Sequence, residues 1–393
     1  MTHPWRRFLA GVTCVAGTYL KMAPAHAKDI RQFSTENHWQ SPQSNASGGI
    51  GNASEDFVDQ FFADPSLAAD EKKKFQLQWA SLHVSYSNDL VTTTQDVIKF
   101  ASDNTSESGS QVVKALDTFQ KVFGKRLTGG TNVTLLASQT GAFSLVPYVS
   151  AFVDGDINVP SWPQAELLGE AYAGVGLGYA KKIKNQFSLG ANLRPGVRTY
   201  AHVTGDLSAV GGFATENSTT DSTSGTGFTQ KLGTAFYIPV DLAGAYQWNP
   251  KWRTHVTFRN FAGAPAISVL SGSKPPVYPM RIQLGTSWRP WEKGGHQTNL
   301  YAELQDLMGL SQKSAVWYRL QAAGQYLYRL SFRTQTSFGL YGGLRSGYPS
   351  YGAFLDLVLL KIEAAAYTRE LGHSIGQRPE KCYSLRAFSQ LTF

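Results

Sequence analysis

The chain has little of three things on which other classes of fold depend. Only two of its 393 residues are cysteine, charged residues make up 16%, and no uncharged apolar run reaches the roughly 18 residues of a transmembrane helix. A bundle of membrane helices is therefore excluded. Cys14 lies in the export signal described next, so Cys382 alone remains and no internal disulfide can hold the fold.

The N-terminus has the three parts of a secretory signal. Its first residues, MTHPWRRF, are basic, a short apolar run extends from Leu9 to Leu20, and Ala25-His26-Ala27 has the form of a cleavage site. We expect residues 1–27 to be removed after Ala27, and the mature protein to be exported.

The remaining charge is modest. Removal of the signal takes away Arg6, Arg7 and Lys21 and no acidic residue, so the net charge falls from +8 to +5. The other basic residues are scattered singly, which is unlike a nucleic-acid-binding surface. No nucleic-acid partner is expected.

From about Phe75 onward, apolar and polar residues alternate with the two-residue period of β-strands. Val256 and Phe258, for example, alternate with His255 and Arg259. A soluble β-sandwich would alternate in the same way. Runs of about ten residues, aromatic residues at their ends, and 12% aromatics with 38 glycines overall favour a membrane barrel instead.

We therefore predict an all-β transmembrane barrel, antiparallel and up-and-down, in the cell outer membrane. It should have about 14 strands, with 12 as the alternative because no turn residue separates Val358 from Lys361. The predicted strands are residues 75–87, 131–139, 142–153, 167–183, 187–203, 233–248, 251–262, 279–290, 298–306, 315–328, 330–345, 351–358, 361–369 and 382–393.

The links between these strands differ in length. The first, fifth and seventh are long and should face outward, as in a barrel with both termini in the periplasm. The second, fourth, sixth and tenth are tight, at Thr140-Gly141, Lys184-Asn185-Gln186, Asn249-Pro250 and Tyr328-Arg329.

Two segments lie outside this pattern. Residues 28–74 form a plug or a periplasmic segment, with a short helix from an N-cap at Ser54 to Leu67 that ends near Pro65. Residues 89–126 form an outward insertion within the 75–393 barrel, helical in two pieces, the second with Val112 to Phe123 at helical spacing. The insertion is interpreted as a lid on its own hairpin; the alternative is an apolar surface that captures a ligand.

The last strand ends on an aromatic residue. Its outward phase contains Tyr383, Leu385, Leu391 and Phe393. Such a strand is similar to the signal that outer-membrane barrels present to their assembly machinery, which is therefore an expected partner together with outer-membrane lipid.

Ten charged residues fall in the inward phase of the strands, where charge avoids the lipid. They are interpreted as a paired, hydrated ladder that lines the lumen, and alternatively as an anion-preferring filter. They are Arg194, Arg198, Arg259, Arg281, Glu303, Arg319, Arg333, Lys361, Glu363 and Arg369.

No catalytic, cofactor or metal site is expected, and the chain is not predicted to be an enzyme. The sequence has neither G-x-S-x-G nor H-E-x-x-H, and its histidines lack ligand spacing. The glycines of Gly174-Val175-Gly176-Leu177-Gly178 are interpreted as relief of crowding in a bent strand.

The C-terminal third carries recognisable motifs: LYAELQDL at 300–307, Leu344 to Pro349, Tyr367 to Gly372, and Gly376-Gln377-Arg378. With these motifs the chain resembles outer-membrane barrels of the FadL/TodX transporter group, including barrel-type TraF-like conjugation-associated proteins. Where members of the group carry an Asn-Pro-Ala-Gly-like box, this chain has Asp64-Pro65-Ser66-Leu67. The resemblance implies a 14-stranded barrel, blocked by an N-terminal segment, that takes up hydrophobic compounds.

Three functions follow as hypotheses. The first is a plugged channel for hydrophobic small molecules such as long-chain fatty acids. The second is an open, weakly anion-selective porin. The third is a structural or surface-interaction barrel linked to conjugation or envelope assembly.

Overall fold

The computed structural model describes residues 39–54, 56–70, 75–102, 125–158, 164–184, 186–206, 228–261, 266–268, 278, 280–307, 319–330, 336–370 and 379–392. Its helices are α1 (Pro42–Ala46), α2 (Phe57–Ala63) and α3 (Asn88–Ser102), with 3-10 turns at Gly51–Ala53 and Pro65–Asp70. Its strands are β1 (Phe75–Ser87), β2 (Arg126–Thr140), β3 (Phe143–Asn158), β4 (Gln164–Lys184), β5 (Phe187–Leu193), β6 (Gly196–Asp206), β7 (Phe228–Tyr237), β8 (Val240–Asn249), β9 (Trp252–Arg259), β10 (Ala266–Ser268), β11 (Arg281–Lys293), β12 (His296–Leu304), β13 (Leu320–Arg329), β14 (Ser337–Arg345), β15 (Tyr348–Asp356), β16 (Lys361–Glu370) and β17 (Pro379–Thr392).

These strands close into one antiparallel barrel. The first strand pairs with the last, from Gln76 opposite Thr392 to Ser87 opposite Cys382. Three crossings of the barrel are each made of two consecutive strands: β5 with β6, β7 with β8, and β9 with β10. The pairing shows this, because β7 pairs with β6 and β10, while β8 pairs with β5 and β9. The seventeen strands of the described residues therefore make fourteen crossings, and the predicted number is confirmed.

The outer face of the barrel is apolar. Large side chains such as Leu82, Val149 and Leu284 are about half exposed, while their neighbours in sequence point inward and are buried. Near the short turns, Trp248 stacks on Trp252 at 5.6 Å between ring centroids, which is typical of an interfacial aromatic girdle. No helix in the described part of the chain is long and apolar enough to cross a membrane.

Three crossings predicted as continuous are interrupted, and they are interrupted side by side. The breaks fall at Arg194-Pro195, at Ile238-Pro239 and at Asn260. Proline has no N–H to donate to a sheet, and Asn260 has a left-handed backbone with φ of 49°. The backbone is partly satisfied across the breaks, since Arg194 N–H donates to Pro239 O at 2.9 Å.

Other boundaries also need correction. The tenth link was wrongly placed at Tyr328-Arg329, because both residues belong to β13 and Leu330 N–H donates to Thr336 O at 2.9 Å to close the link. The strand predicted from residue 330 begins at Ser337 in the described residues. By contrast, a turn does separate Val358 from Lys361, with Val358 at φ 78°, which decides between 14 and 12 crossings.

The helix expected from Ser54 begins later. Its N-cap is Asp56, and it ends at Ala63. Ser54 is not the cap, because its hydroxyl donates to the side chain of Asp59, at 2.6 Å from Oδ2. In the outward insertion, α3 occupies the first half, and the second predicted helical piece lies outside the described residues.

Candidate functional site

The N-terminal segment occupies the lumen. Residues 40–50 and 56–66 are buried almost throughout, although they precede the first strand. They contact the barrel wall at positions where a strand has glycine and therefore no inward side chain. The ring of Phe61 lies on Gly176 and Gly178, and the Pro65 carbonyl lies on Gly190, so a Cβ at any of these glycines would collide with the segment. We call residues 39–70 the plug.

The Asp64-Pro65-Ser66 box anchors the lower part of the plug. Asp64 Oδ1 accepts the Ser66 backbone N–H at 2.9 Å and the Ser66 hydroxyl at 2.6 Å. Arg253 of β9 in turn donates to Ser66 Oγ at 2.9 Å. The turn is therefore held against the barrel wall.

A buried ion cluster anchors the other side of the plug. Arg386 of β17 donates to Asp56 Oδ2 at 2.6 Å and to Asp59 Oδ1 at 2.8 Å, and Glu363 Oε2 lies 3.8 Å from it. Lys361 Nζ lies 3.1 Å from Glu363 Oε1. Burial raises the pKa of both Asp56 and Asp59, although the charge of Arg386 opposes the shift.

An aromatic cluster fills the lumen beside β3, β4 and β7. Tyr148 and Tyr172 stack with ring centroids 5.4 Å apart, and Phe62 of α2 meets Tyr148 edge-on at 5.3 Å. Trp39 stacks on Phe62 at 4.3 Å. We call this cluster, together with Phe61, Tyr237 and Tyr278, the aromatic chamber.

The chamber contains a small cavity of about 50 Å³. The cavity adjoins the three strand breaks, because Arg194, Pro239 and Asn260 line it together with Trp39, Phe62 and Tyr278. The interrupted crossings thus give this part of the lumen its shape.

The charges around the chamber are paired. Arg198 is fully buried and donates to both carboxylate oxygens of Glu170, at 2.7 and 2.9 Å. Its guanidinium also lies 4.0 Å from the ring centroid of Tyr278, whose hydroxyl donates to Glu170. Arg194 is paired with Asp241 at 2.9 Å. Arg259, which also lines the cavity, donates to Phe62 O at 2.5 Å, so the cavity has ring faces beside charged groups that already have partners.

Nine of the ten charged residues predicted to line the lumen are buried or half-buried, and Arg333 lies outside the described residues. They are not one ladder. Arg194, Arg198 and Arg259 border the chamber, Lys361 and Glu363 belong to the ion cluster, and Arg369 pairs with Glu380 at 2.5 Å near the outward end. Glu303 lies 3.7 Å from His255, Arg319 donates to Asp306 O at 3.3 Å, and Arg281 begins β11. Their contact with a solute stays a prediction.

Several functional candidates were missed in the sequence. Tyr148 and Tyr172 occupy inward positions of strands whose outward positions are apolar too, so no polar phase marks them as lumen-facing. No sequence pattern marks Asp56 and Asp59 as an ion-pair site, because their partner, Arg386, is distant in sequence. Pro195 and Pro239 were the available signal for the strand breaks.

The signal and assembly residues are only partly described. Tyr383 and Leu385 lie on the outer face of β17, and Leu391 lies near its end. Phe393, Ala25 and Ala27 lie outside the described residues. Recognition by the assembly machinery and cleavage after Ala27 therefore stay predictions.

Between the plug and the periplasmic turns lies a vestibule of about 320 Å³. Asn52 and Gln60 of the plug line it, together with the basic residues Lys182, Lys251 and Arg253. The rings of Trp252, Trp288 and Tyr301 lie among these polar groups, so the vestibule is positively charged but not uniformly polar.

The barrel wall is irregular beside the chamber. Thr134 pairs with Tyr148 but Ser138 pairs with Leu145, so β2 carries one extra residue, and Leu136 in this bulge has φ of 53°. Ala137 in the bulge is buried in the aromatic cluster, whereas Leu136 is exposed on the outer face. The bulge therefore places one of its residues on the chamber side of the wall and another on the lipid side.

An apolar groove of about 650 Å³ lies on the lipid side near this bulge. Ser138, Leu145, Leu177 and Leu193 are among its lining residues. Gly178 also lines it, and on the inner side the ring of Phe61 lies 3.0 Å from the position of a Cβ on Gly178. At Gly178, only the backbone of β4 separates the groove from the plug.

No group of three or more histidine, cysteine or acidic side chains that could hold a metal ion occurs in the described ranges. No protein-family model and no curated protein matches the chain.

A closed barrel of this kind, with an apolar exterior and an aromatic girdle, resides in a bacterial outer membrane. The chain is an outer-membrane β-barrel. It is similar to the toluene transporter TbuX of Ralstonia pickettii, with 11% identity over 90% of this chain and 98% of that one and a TM-score of 0.48. It is also similar to the toluene transporter TodX of P. putida (11%, 90% and 98%, TM-score 0.45) and to a FadL homologue of Pseudomonas aeruginosa (10%, 89% and 98%, TM-score 0.42).

The resemblance to the FadL/TodX group, which the C-terminal motifs predict, is confirmed by these similar solved structures. The TraF-like part of that resemblance stays a prediction. At these levels of identity and TM-score, function must be inferred from the geometry of this chain.

Proposed function

We propose that the barrel conducts hydrophobic small molecules across the outer membrane through the aromatic chamber. The observation that carries this proposal is the placement of the rings of Phe62, Tyr148 and Tyr172 inside the lumen, where a general porin has polar walls. Apolar surface removed from water on binding supplies roughly 25 cal/mol per Å².

The free space in the chamber is small. About 50 Å³ lies beside Trp39 and Phe62, less than the roughly 150 Å³ of a dry cavity that binds benzene. A ligand enlarges this space only by moving the side chains that line it.

The exit is proposed to lie in the wall. The vestibule below the plug carries the basic side chains of Lys182, Lys251 and Arg253, whereas apolar residues predominate in the groove on the lipid side. The bulge of β2 lies next to this groove, which begins at Ser138. The molecule would leave between β2 and β3 without passing the anchored plug.

An open anion-selective porin is less well supported. Arg198, Arg369 and Arg386 each pair with a carboxylate, so they present little net charge to a passing anion. The plug also occupies the lumen that such a porin needs open.

The test removes the bulge. Deleting Leu136 restores a continuous register between β2 and β3 and should lower the uptake of the apolar dye N-phenylnaphthylamine by intact cells at least fivefold. Leu136→Gly, which keeps the extra residue and tolerates its positive φ, should take up the dye like the parent barrel. Equal uptake by the deletion and the glycine variant would overturn the wall exit, and no uptake above barrel-free cells by any variant would overturn the proposed function.

A further inference from the structure

One turn at the periplasmic end of the barrel is entirely apolar. Leu357, Val358, Leu359 and Leu360 join β15 to β16, and each of their side chains is between 42 and 57% exposed. Other periplasmic turns, such as Asn249-Pro250-Lys251, contain polar residues, glycine or proline. Four adjacent apolar side chains exposed to water are unfavourable, so a different surrounding is expected for this turn.

The backbone of the turn suits a residue that the sequence does not use. Val358 has φ of 78°, in the left-handed region that favours glycine and strains a β-branched side chain. At two other periplasmic turns, Gly141 and Gly294 have φ of 54° and 61°, and there the chain does have glycine. The presence of valine at position 358 indicates that an apolar side chain has a role at the tip of this turn.

Three N–H groups of the turn are satisfied without water. Leu357 N–H donates to Leu360 O at 2.9 Å, and Leu359 N–H donates to Leu357 O at 3.0 Å. Val358 N–H donates to Asp356 Oδ1 at 3.1 Å, so a side-chain carboxylate takes the place that water has in an exposed turn. Backbone donors that leave a sheet close to hydrocarbon must be paired internally, and these three donors meet that condition.

The two charged residues that flank the turn belong to the inward phase of their strands. Asp356 is followed by the turn and Lys361 follows it, whereas their neighbours Leu355 and Ile362 are exposed on the outer face. Lys361 is buried, with its Nζ 3.1 Å from Glu363 Oε1. Leu355 and Ile362 therefore join the apolar surface of the turn to the lipid-facing surface of the barrel.

The height of the wall places the turn at the edge of the apolar band. Tyr351 is exposed near the outward end of β15, and Tyr383 and Tyr86, which follow in the same row of paired residues, have ring centroids 5.7 Å apart. Such a row is typical of an interfacial aromatic girdle. Leu359 follows Tyr351 by eight residues. At about 3.3 Å per residue and a tilt of about 40°, this distance spans about 20 Å, less than the apolar band of about 25 Å.

The rim is different at β8 and β9, which lie nearly opposite in the barrel. There the stacked rings of Trp248 and Trp252 mark the interface, and the turn between them continues to the exposed Lys251. Neither β15 nor β16 contains tryptophan. The turn itself therefore takes the place of the girdle on that side.

We propose that the turn of residues 357–360 is seated in the periplasmic leaflet of the outer membrane, with its four side chains among the phospholipid acyl chains. The rim of the barrel then meets this leaflet at two depths, deeper in water at β8 and β9 and within lipid at β15 and β16. The partner of the turn is phospholipid, because the turn continues the surface that already faces lipid. The inference does not depend on whether the barrel conducts hydrophobic molecules.

The first test measures the depth of one side chain at each turn. Leu359→Cys and, as the matched control, Lys251→Cys are labelled with the fluorophore NBD in a Cys382→Ala background, and the barrels are folded into phosphatidylcholine vesicles. Nitroxide groups near the glycerol end of the acyl chains should quench NBD at position 359 at least threefold more than NBD at position 251. Iodide on both sides of the vesicles should quench the two positions in the reverse order.

Two other results would overturn the inference. Equal access of iodide to both positions would place the turn in water. If neither agent quenches position 359 while iodide quenches position 251, another protein chain covers the turn, and the assignment to lipid is wrong.

A second test uses charge. The double variant Leu357→Arg with Leu360→Arg should lower the fraction of barrel that folds into vesicles at least fivefold, because arginine on the lipid face is unfavourable. In detergent micelles, which adapt to the shape of the protein, folding should stay within twofold of the parent. The corresponding double alanine variant should fold into vesicles like the parent. Equal folding of the arginine and alanine variants in vesicles would contradict a turn seated in lipid.

Discussion

The two sides of the plug differ in how they meet the barrel. Toward β3, β4 and β7, the plug presents Phe61 and Phe62 to tyrosines and glycines. Toward β16 and β17, it presents Asp56 and Asp59 to a buried arginine. Ring contacts within the plug can be replaced by contacts with an apolar ligand, whereas a buried ion pair is costly to break. The comparison indicates that the aromatic side admits a ligand and the charged side holds the plug in place.

The largest test of this comparison is Arg386→Leu. It leaves Asp56 and Asp59 buried without the cation that pairs with them, and breaking a buried pair in this way costs about 3–5 kcal/mol. We expect the plug to leave its seat and a steady single-channel current to appear in a planar bilayer. Arg289→Leu is the matched control, because its pair with Glu292 is exposed and such pairs contribute about 0–1 kcal/mol. Similar currents from both variants would contradict a charged anchor.

The aromatic side can be overfilled instead. A valine at position 176 would collide with the ring of Phe61, and overpacking of this kind costs about 1–3 kcal/mol. Gly176→Val should therefore lower the thermal midpoint of unfolding and weaken the binding of N-phenylnaphthylamine. Gly342→Val adds the same side chain where nothing lies within 4 Å of the new Cβ, and it should leave both unchanged. If the two variants behave alike, the contact between Phe61 and the glycines has no role.

A change in pH is expected to have a smaller effect on the docking of the plug. Burial raises the pKa of Asp56 and Asp59 above the usual carboxyl value of 3.8, so the docked plug binds protons more tightly than the undocked plug. Docking is then strongest below that usual value and weakens as pH rises through the raised pKa values. Arg386, Lys361 and Glu363 face these carboxyls and set the size of the change.

We expect residual current through the parent barrel to be smallest at acid pH and to grow as pH rises through the raised pKa values of Asp56 and Asp59. The double variant Asp56→Asn with Asp59→Asn should lose most of this dependence, because neither amide titrates. A variant that keeps the full dependence would place its origin in other groups.

Much of the barrel could be predicted from the sequence because lipid imposes a simple rule on each strand. Val256 and Phe258 had to face outward and His255 inward, and the structure agrees. The same rule failed where both phases are apolar, as around Tyr148, and it is blind to strand breaks unless proline is given weight, as at Pro195. The plug contacts were out of reach because they depend on the closed barrel rather than on neighbouring residues.

The pairing of Asp56 with Arg386 has a consequence for the order of assembly. The two residues are 330 positions apart, and Arg386 reaches its place only when β17 pairs with β1. Contacts so distant in sequence form late, after the loop entropy between them has been lost. A chain stalled before closure would therefore carry an unseated, acidic N-terminal helix, and docking of that helix marks the moment at which the last strand has joined the first.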